Sequence, residues 1–154
     1  MTPWIEIIAA FFGTLGFAFL FNIRGSKLWY AALGGMLAWA LFLLLAPVVP
    51  NEAGRYFIVS VCTTCGAEVM ARLLKTPAST FCIIWLLPLV PGGALYYTMT
   101  YGLAGEWMLF AEKAVYTIEL AVALSLGIVL VTAAVRHLPY FKSKKCPKQA
   151  QKTR

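Results

Sequence analysis

Long apolar segments dominate this sequence and restrict what it can fold into. Five of them are separated by short polar connections, with predicted bounds of about 4–22, 28–46, 56–74, 78–102 and 114–136. About 20 mostly apolar residues are what an α-helix needs to cross a bilayer. Hydrophobic residues make up 61% of the 154 positions and charged residues only 12%, whereas soluble domains average about 45–50% and 25%. We therefore expect an all-α integral membrane protein whose single transmembrane domain, residues 1–137, has five transmembrane helices.

The positions of the basic residues predict the orientation of these helices. If successive connections lie on opposite sides, all of the 13 Lys and Arg residues except Arg55 and Lys113 fall on one side. Cytoplasmic connections carry the excess of Lys and Arg in membrane proteins. The N-terminus is therefore predicted to lie outside and the C-terminus in the cytoplasm.

Residues 138–154 form a polar, Lys-rich tail, which we expect to be cytoplasmic and disordered. Much of the net charge of +7 lies at this end of the chain. A basic segment next to a membrane span is typical of a cytoplasmic end, where it can contact anionic lipid. We therefore predict that the basic tail contacts the lipid bilayer and that the protein does not bind nucleic acid.

The fourth apolar segment is interrupted by Pro-Leu-Val-Pro-Gly-Gly at residues 88–93. Each proline removes a backbone donor and disturbs the preceding turn, and the glycines tolerate almost any backbone angle. A helix over 78–102 would be about 37 Å long, so the break falls near its midpoint. Secondary transporters use broken helices of this kind to hold a substrate at the bilayer midplane. The alternative is a kinked helix that serves packing alone.

A half-helix that starts after Pro91 would present free N–H groups to a substrate carboxylate. A tyrosine hydroxyl one turn further on could add a donor. The substrate-binding residues predicted on this ground are Pro88, Pro91, Gly92, Gly93, Tyr96 and Tyr97.

Three ionisable residues within the apolar segments are candidates for proton or charge coupling. Glu68 lies about 9 Å from the end of the third segment, one turn before Arg72. It is a proton carrier, a partner for a substrate cation, or half of an ion pair near the interface. Glu119 lies a similar distance inside the fifth segment, where it could line an outward vestibule or pack against a partner helix.

The cysteines predict neither a disulfide framework nor a metal site. Cys62 and Cys65 have a redox-like spacing but lack the soluble βαβ context of thioredoxin-like proteins. A membrane redox enzyme that uses this pair remains an alternative. We expect packing residues, no metal, no cofactor and no enzymatic activity.

Several short motifs resemble the threonine/serine exporter family. They are the run from Arg72 to Phe81, the interrupted segment at 88–93, Tyr96-Tyr97-Thr98-Met99, Gly16-Phe17-Ala18-Phe19, Phe21-Asn22 and Leu33-Gly34-Gly35. The resemblance covers about residues 13–135, and the chain length is similar to that of the small, C-terminal-half subunit of the split, two-chain exporters.

This resemblance implies a multi-pass subunit of a bacterial inner-membrane exporter. Its substrate would be a small hydrophilic acid, either threonine and serine or a dicarboxylate such as succinate. It also implies a larger partner subunit and allows further oligomerisation. Two other functions remain open, a structural subunit that completes the partner's fold without contacting substrate, and a passive channel.

Overall fold

The computed structural model describes residues 3–23 and 25–137. No strand occurs in these ranges, which confirms the all-α prediction for this part of the chain. The helices are α1 (Pro3–Leu20), α2 (Ser26–Leu44), α3 (Glu52–Leu73), α4 (Ala78–Leu86), α5 (Gly92–Ala104) and α6 (Trp107–His137). A short 3-10 turn, Leu87–Leu89, follows α4 directly. The predicted tail, 138–154, lies outside the described residues.

The described helices supply three or four candidate membrane spans. α2, α3 and α6 are each long and apolar enough to cross a membrane. α4 and α5 pass the same test as a pair, but a bend of 58° separates them, as in a broken span or a re-entrant loop. α1 is apolar but shorter, from Trp4 to Leu20. The break in the fourth predicted segment is therefore present.

Two helices begin earlier than the apolar pattern predicted. The Asn51 side chain accepts a hydrogen bond from the Ala53 N–H (3.1 Å), and this cap starts α3 at Glu52. α6 starts at Trp107 instead of about residue 114, and at 31 residues it is about 46 Å long. That length exceeds the hydrocarbon thickness of about 30 Å. Polar residues assigned to connections are consequently helical, and they are Glu52, Arg55, Glu112 and Lys113.

α1, α3 and α5 end in the same way, with a residue of positive φ. These residues are Asn22 (φ 55°), Lys75 (φ 50°) and Gly105 (φ 77°). The N–H of the next residue bonds to a carbonyl five residues back, as Thr76 does to Ala71 (2.9 Å). This cap satisfies the last carbonyls and turns the chain sharply, so that the next helix can start within a few residues.

α3 is central in the bundle and runs parallel to α6. Glu52, at the start of α3, bonds to Tyr116, and Ser60 lies against Gly127. Residue numbers thus increase together along both helices. A Cβ on Gly127 would lie 1.8 Å from the Ser60 Oγ and 3.0 Å from the Phe57 carbonyl oxygen, so only glycine allows this approach.

α2 and α4 run in the opposite direction to α3. Tyr56 of α3 packs on Phe42, near the end of α2, with ring centroids 4.8 Å apart. Trp85, near the end of α4, lies against Gly66 of α3 and fills the space over Gly34 of α2. The alternation of direction separates the basic residues into two groups. They are Lys27, Arg72, Lys75 and Arg136 at one end of the bundle, and Arg55 and Lys113 at the other.

Candidate functional site

The helix break is a short, ordered turn. Leu87–Leu89 is 3-10 helical and Val90 is extended. Pro91 (φ −72°, ψ 59°) then forms the centre of an inverse γ-turn, in which the Gly92 N–H bonds to the Val90 carbonyl at 2.6 Å. α5 begins at Gly92, with Pro91 as an N-cap that supplies no side-chain hydrogen bond. The first N–H groups of α5 are therefore not capped by their own N-cap residue.

A cavity of about 340 Å³ lies beside this turn. Pockets for small molecules have volumes of about 300–1,000 Å³, so the cavity suits a small ligand. It is lined by the break and by parts of α2, α3, α5 and α6. The lining residues are Trp39, Glu52, Tyr56, Val90, Pro91, Gly92, Gly93, Ala94, Tyr97, Lys113, Tyr116 and Leu120. We call it the break cavity.

One carboxylate and one amine line the break cavity. The Glu52 carboxylate accepts a hydrogen bond from the Tyr116 hydroxyl and pairs with Arg55, whose Nη2 lies 3.3 Å from Oε1. The Arg55 guanidinium carbon is 4.8 Å from the centroid of the Phe42 ring. These contacts fix the position of a negative charge. The Lys113 Nζ supplies the positive charge and lies 3.6 Å from the Glu112 carboxylate.

Backbone and indole donors also border the break cavity. Gly93 and Ala94 are in the first turn of α5, where N–H groups have no acceptor within the helix and the dipole favours an anion. The Trp39 Nε1 is buried and has no hydrogen-bond partner within the described part of the chain. The cavity thus offers several donors for an acid group and one carboxylate for an ammonium group.

Four of the predicted binding residues meet at the break cavity, namely Pro91, Gly92, Gly93 and Tyr97. Pro88 instead borders a separate cavity of about 260 Å³ beside α1. Tyr96 is 65% exposed, and its ring contacts Tyr97 edge-on, with centroids 5.6 Å apart. Neither Pro88 nor Tyr96 lines the break cavity.

The break cavity lies toward one end of the bundle. Its α3 residues, Glu52 and Tyr56, belong to the first five positions of a 22-residue helix. In sequence, the break is near the middle of the fourth predicted segment. In the folded chain, it lies beside the N-terminal end of α3. The reason is that Ala78–Leu89 runs antiparallel to α3, from the level of Glu68 to that of Tyr56, so the break comes at the end of this run.

A second cavity, of about 360 Å³, lies at the opposite end of α3. It is lined by Glu68 and by residues of α4 and α6, including Ser79, Cys82, Thr132 and Arg136. The Glu68 carboxylate accepts a hydrogen bond from Arg72 Nη2 (3.0 Å), and both side chains are partly buried. We call it the Glu68 cavity.

The pairing of Glu68 with Arg72 predicts a measurable coupling. Replacing either residue with glutamine leaves a charge in a partly apolar site, whereas the double replacement removes both charges. The Glu68 side chain is 16% exposed and the Arg72 side chain 32% exposed. We expect such a pair to show a coupling free energy of about 0.5–1.5 kcal/mol, above the median for surface pairs. Thermal denaturation of the four proteins in detergent measures it, and additive effects would contradict the coupling.

Glu119 lies apart from both cavities. It is exposed on α6, whereas the adjacent Leu120 is buried against the core. Neither the break cavity nor the Glu68 cavity is the outward vestibule predicted at Glu119. Because Glu119 is exposed, it could contact a helix of a partner subunit.

Cys62 and Cys65 are both exposed on the outer face of α3, as free thiols. Within the described residues there is no group of three or more His, Cys, Asp or Glu side chains that could hold a metal ion. Cys62 borders a small cavity of about 130 Å³ against α2, apart from both the break cavity and the Glu68 cavity, and Cys65 lies one turn before Glu68.

Sequence reasoning did not find Glu52, Lys113 and Trp39 as site residues. Glu52 and Lys113 were assigned to connections because they flank the apolar segments. Lys113, Tyr116 and Leu120 are spaced as residues on one face of a helix. Had the fifth segment been predicted to start earlier, this face would have included Lys113. Trp39 carries no such signal.

The comparison with protein families agrees with the resemblance seen in the motifs. The family model described as Threonine/Serine exporter, ThrE, matches residues 6–134, which contain the break, the break cavity and all of the Glu68 cavity lining except Val135 and Arg136. No curated protein and no solved structure matches the chain. Membership of an exporter family implies a transporter rather than an enzyme and, with the apolar helices, a multi-pass membrane protein. With a match over most of its length, the chain belongs to the threonine/serine exporter family.

Proposed function

We propose that this chain is a subunit of a secondary exporter of small zwitterionic amino acids, and that the break cavity binds the substrate. The observation that carries the proposal is the pair of opposite charges, Glu52 and Lys113, beside the first turn of α5. The carboxylate of the substrate would lie at the N-terminus of α5 and Lys113, and its ammonium group at Glu52. Tyr97 and Tyr116 would face its side chain.

The charges of the break cavity favour an amino acid over a dicarboxylate. Succinate would bring a second negative charge to a cavity that already contains the Glu52 carboxylate, and like charges at close range repel. Serine and threonine would instead place an ammonium group there, and a charge-assisted hydrogen bond contributes about 1.5–3 kcal/mol. Succinate is therefore the second candidate substrate.

The proposal includes the five-span arrangement, with the N-terminus outside and the C-terminus in the cytoplasm of a bacterial inner membrane. In this orientation the break cavity faces outward and the Glu68 cavity faces the cytoplasm. Glu68 would carry the coupling proton at the cytoplasmic end, and Arg72, whose guanidinium stays protonated, would set the charge state of Glu68. Transport would use the proton gradient.

A larger partner subunit would complete the bundle. The exposed Glu119 supports this part of the proposal, because a carboxylate that faces lipid costs about 2.5–3.5 kcal/mol on insertion scales. A basic or hydrogen-bonding residue of the partner at this position would remove that cost.

The experiment that tests the proposed function is efflux of preloaded serine, threonine and succinate from cells. Each is measured with this chain alone, with its candidate partner, and with Gly92→Leu in the pair. A Cβ at Gly92 has no atom within 4 Å, so a leucine would extend into open space next to the break cavity without a clash at its Cβ. We expect export of the amino acids by the intact pair only, and its loss in Gly92→Leu at unchanged protein level.

Gly16→Leu is the matched control, because Gly16 also has no atom within 4 Å of an added Cβ and lies on α1, away from the cavity. If the pair exports none of the three compounds, the proposed substrate class is wrong. Normal export by Gly92→Leu would contradict the binding site, and would favour a structural subunit that completes the partner without contacting substrate.

A further inference from the structure

A polar stripe runs along α3 from the break cavity to the Glu68 cavity. Every fourth residue from Glu52 to Glu68 is polar, and the stripe consists of Glu52, Tyr56, Ser60, Thr64 and Glu68. Residues four apart in a helix lie on one face. The first two line the break cavity and the last lines the Glu68 cavity. The distance along α3 from Tyr56 to Glu68 is about 18 Å.

The middle of the stripe is enclosed by two other helices. Ser60 is fully buried against Gly127 of α6, and Thr64 is fully buried beside Cys82 of α4. The outer face of α3, by contrast, presents apolar or weakly polar side chains, among them Ile58, Cys62 and Val69, which are exposed. The polar side chains of the stripe thus point into the bundle, where they cannot contact lipid. The closed contact between Ser60 and Gly127 lies between the two cavities.

The Thr64 hydroxyl is the unusual member of the stripe. Five threonines on the described helices donate to the carbonyl oxygen four residues back, and they are Thr14, Thr98, Thr100, Thr117 and Thr132. Thr64 is fully buried, and within the described residues its hydroxyl has no oxygen or nitrogen partner, only the neighbouring Cys82 thiol. A thiol is a weak hydrogen-bonding group. A buried hydroxyl left unpaired costs about 1–3 kcal/mol, and a thiol offsets only part of that cost, so the Thr64 hydroxyl is available to a stronger partner.

We propose that the α3 stripe is the translocation route by which a hydrophilic substrate passes between the two cavities, and that Thr64 hydrogen-bonds the substrate at the narrowest part. This inference rests on the proposed function. The structure has the route closed where Ser60 meets Gly127. Separation of α3 from α4 and α6 at this contact opens it and exposes Thr64 and Cys82 to water.

Cysteine reactivity tests the route, because Cys82 borders it and Cys62 lies on the outer face of α3. In membranes that contain the transporting complex, two variants are compared that keep Cys82 alone or Cys62 alone, the other cysteines being replaced with serine. A positively charged methanethiosulfonate is applied from each side. We expect Cys82 to react about tenfold faster than Cys62, because these reagents attack a hydrated thiolate, and saturating serine to slow the reaction. Equal rates would overturn the route.

A third variant separates this inference from the proposed function. Tyr97→Cys, with the natural cysteines replaced, reports on the break cavity itself. If serine slows the modification of Tyr97→Cys but leaves Cys82 unaffected, the binding site stands and the route is wrong. If serine affects neither cysteine, the proposed binding site is wrong as well.

Export by Thr64→Val, Thr64→Ser and Thr63→Val gives a second readout. Valine keeps the shape of threonine and removes the hydroxyl. Loss of one hydrogen bond along the route should slow export by Thr64→Val about tenfold. Thr64→Ser should export normally because it keeps the hydroxyl. Thr63→Val, which changes the adjacent buried threonine outside the stripe, should also export normally. Unchanged export by Thr64→Val would overturn the role of Thr64.

Discussion

Replacing Glu52 with glutamine should raise the KM for serine about tenfold in inside-out membrane vesicles. The substitution removes the carboxylate that would pair with the substrate ammonium group and keeps the acceptor oxygen for Tyr116. A charge-assisted hydrogen bond contributes about 1.5–3 kcal/mol. The Glu52 side chain is 46% exposed, so solvent screening places the effect near the lower limit, which corresponds to about tenfold.

The same substitution should act in the opposite direction on a dicarboxylate. Glutamine in place of Glu52 removes a like charge from the break cavity, so any transport of succinate should improve while that of serine declines. Glu112→Gln is the matched control, because its carboxylate is 69% exposed and outside the cavity lining. A KM for serine that is unchanged in Glu52→Gln, or changed equally in both variants, would contradict the assigned role of Glu52.

Replacing Gly34 with alanine should destabilise the bundle by about 1–3 kcal/mol, the usual cost of overpacking a close-packed core. The added Cβ would lie 1.8 Å from the Trp85 Cε2. Trp85 is only 8% exposed and its ring is rigid, so either the ring or the α2 backbone must move. Thermal denaturation in detergent, followed by tryptophan fluorescence or by retention of monodisperse protein, measures the loss.

Gly16→Ala supplies the control for this experiment. Nothing lies within 4 Å of a Cβ at Gly16, and alanine is favoured over glycine inside a helix by about 0.5–1 kcal/mol. Gly16→Ala should therefore leave stability unchanged or raise it slightly. The double variant Gly34→Ala with Trp85→Leu should recover part of the loss, since leucine is smaller and flexible. Equal stability of Gly34→Ala and the parent would show that α2 and α4 are not packed as described.

The sequence was sufficient for the presence of the helices and of the break, though not for the starts of α3 and α6, because both features depend on local chemistry. Runs of apolar residues predicted where helices occur, and two prolines with two glycines predicted where one is interrupted. The same local chemistry identified Pro91, Gly92, Gly93 and Tyr97 as a group, since they are close in sequence and remain close in space.

The charged half of the site depends on tertiary structure and was missed. Glu52 and Lys113 are far apart in sequence, and both flank apolar segments, where a charge is ordinarily interpreted as a solvated helix end. Their approach results from the parallel arrangement of α3 and α6, together with the bend at the break, after which α5 packs on α6. Hydropathy alone contains no information on which helices become neighbours. Pro88 and Tyr96 were included for the converse reason, because proximity in sequence does not determine which way a side chain points.

The unbroken length of α6 has a mechanical consequence. One unbroken helix supplies Lys113, Tyr116 and Leu120 to the break cavity, and Thr132 and Arg136 to the Glu68 cavity. Gly127 holds it against α3 between these two groups. While this contact is closed, a rod that tilts about it moves its two ends in opposite directions. Widening one cavity would therefore narrow the other. A tilt of this one helix would thus couple opening at one side of the protein to closing at the other, so that the two sides would not be open together.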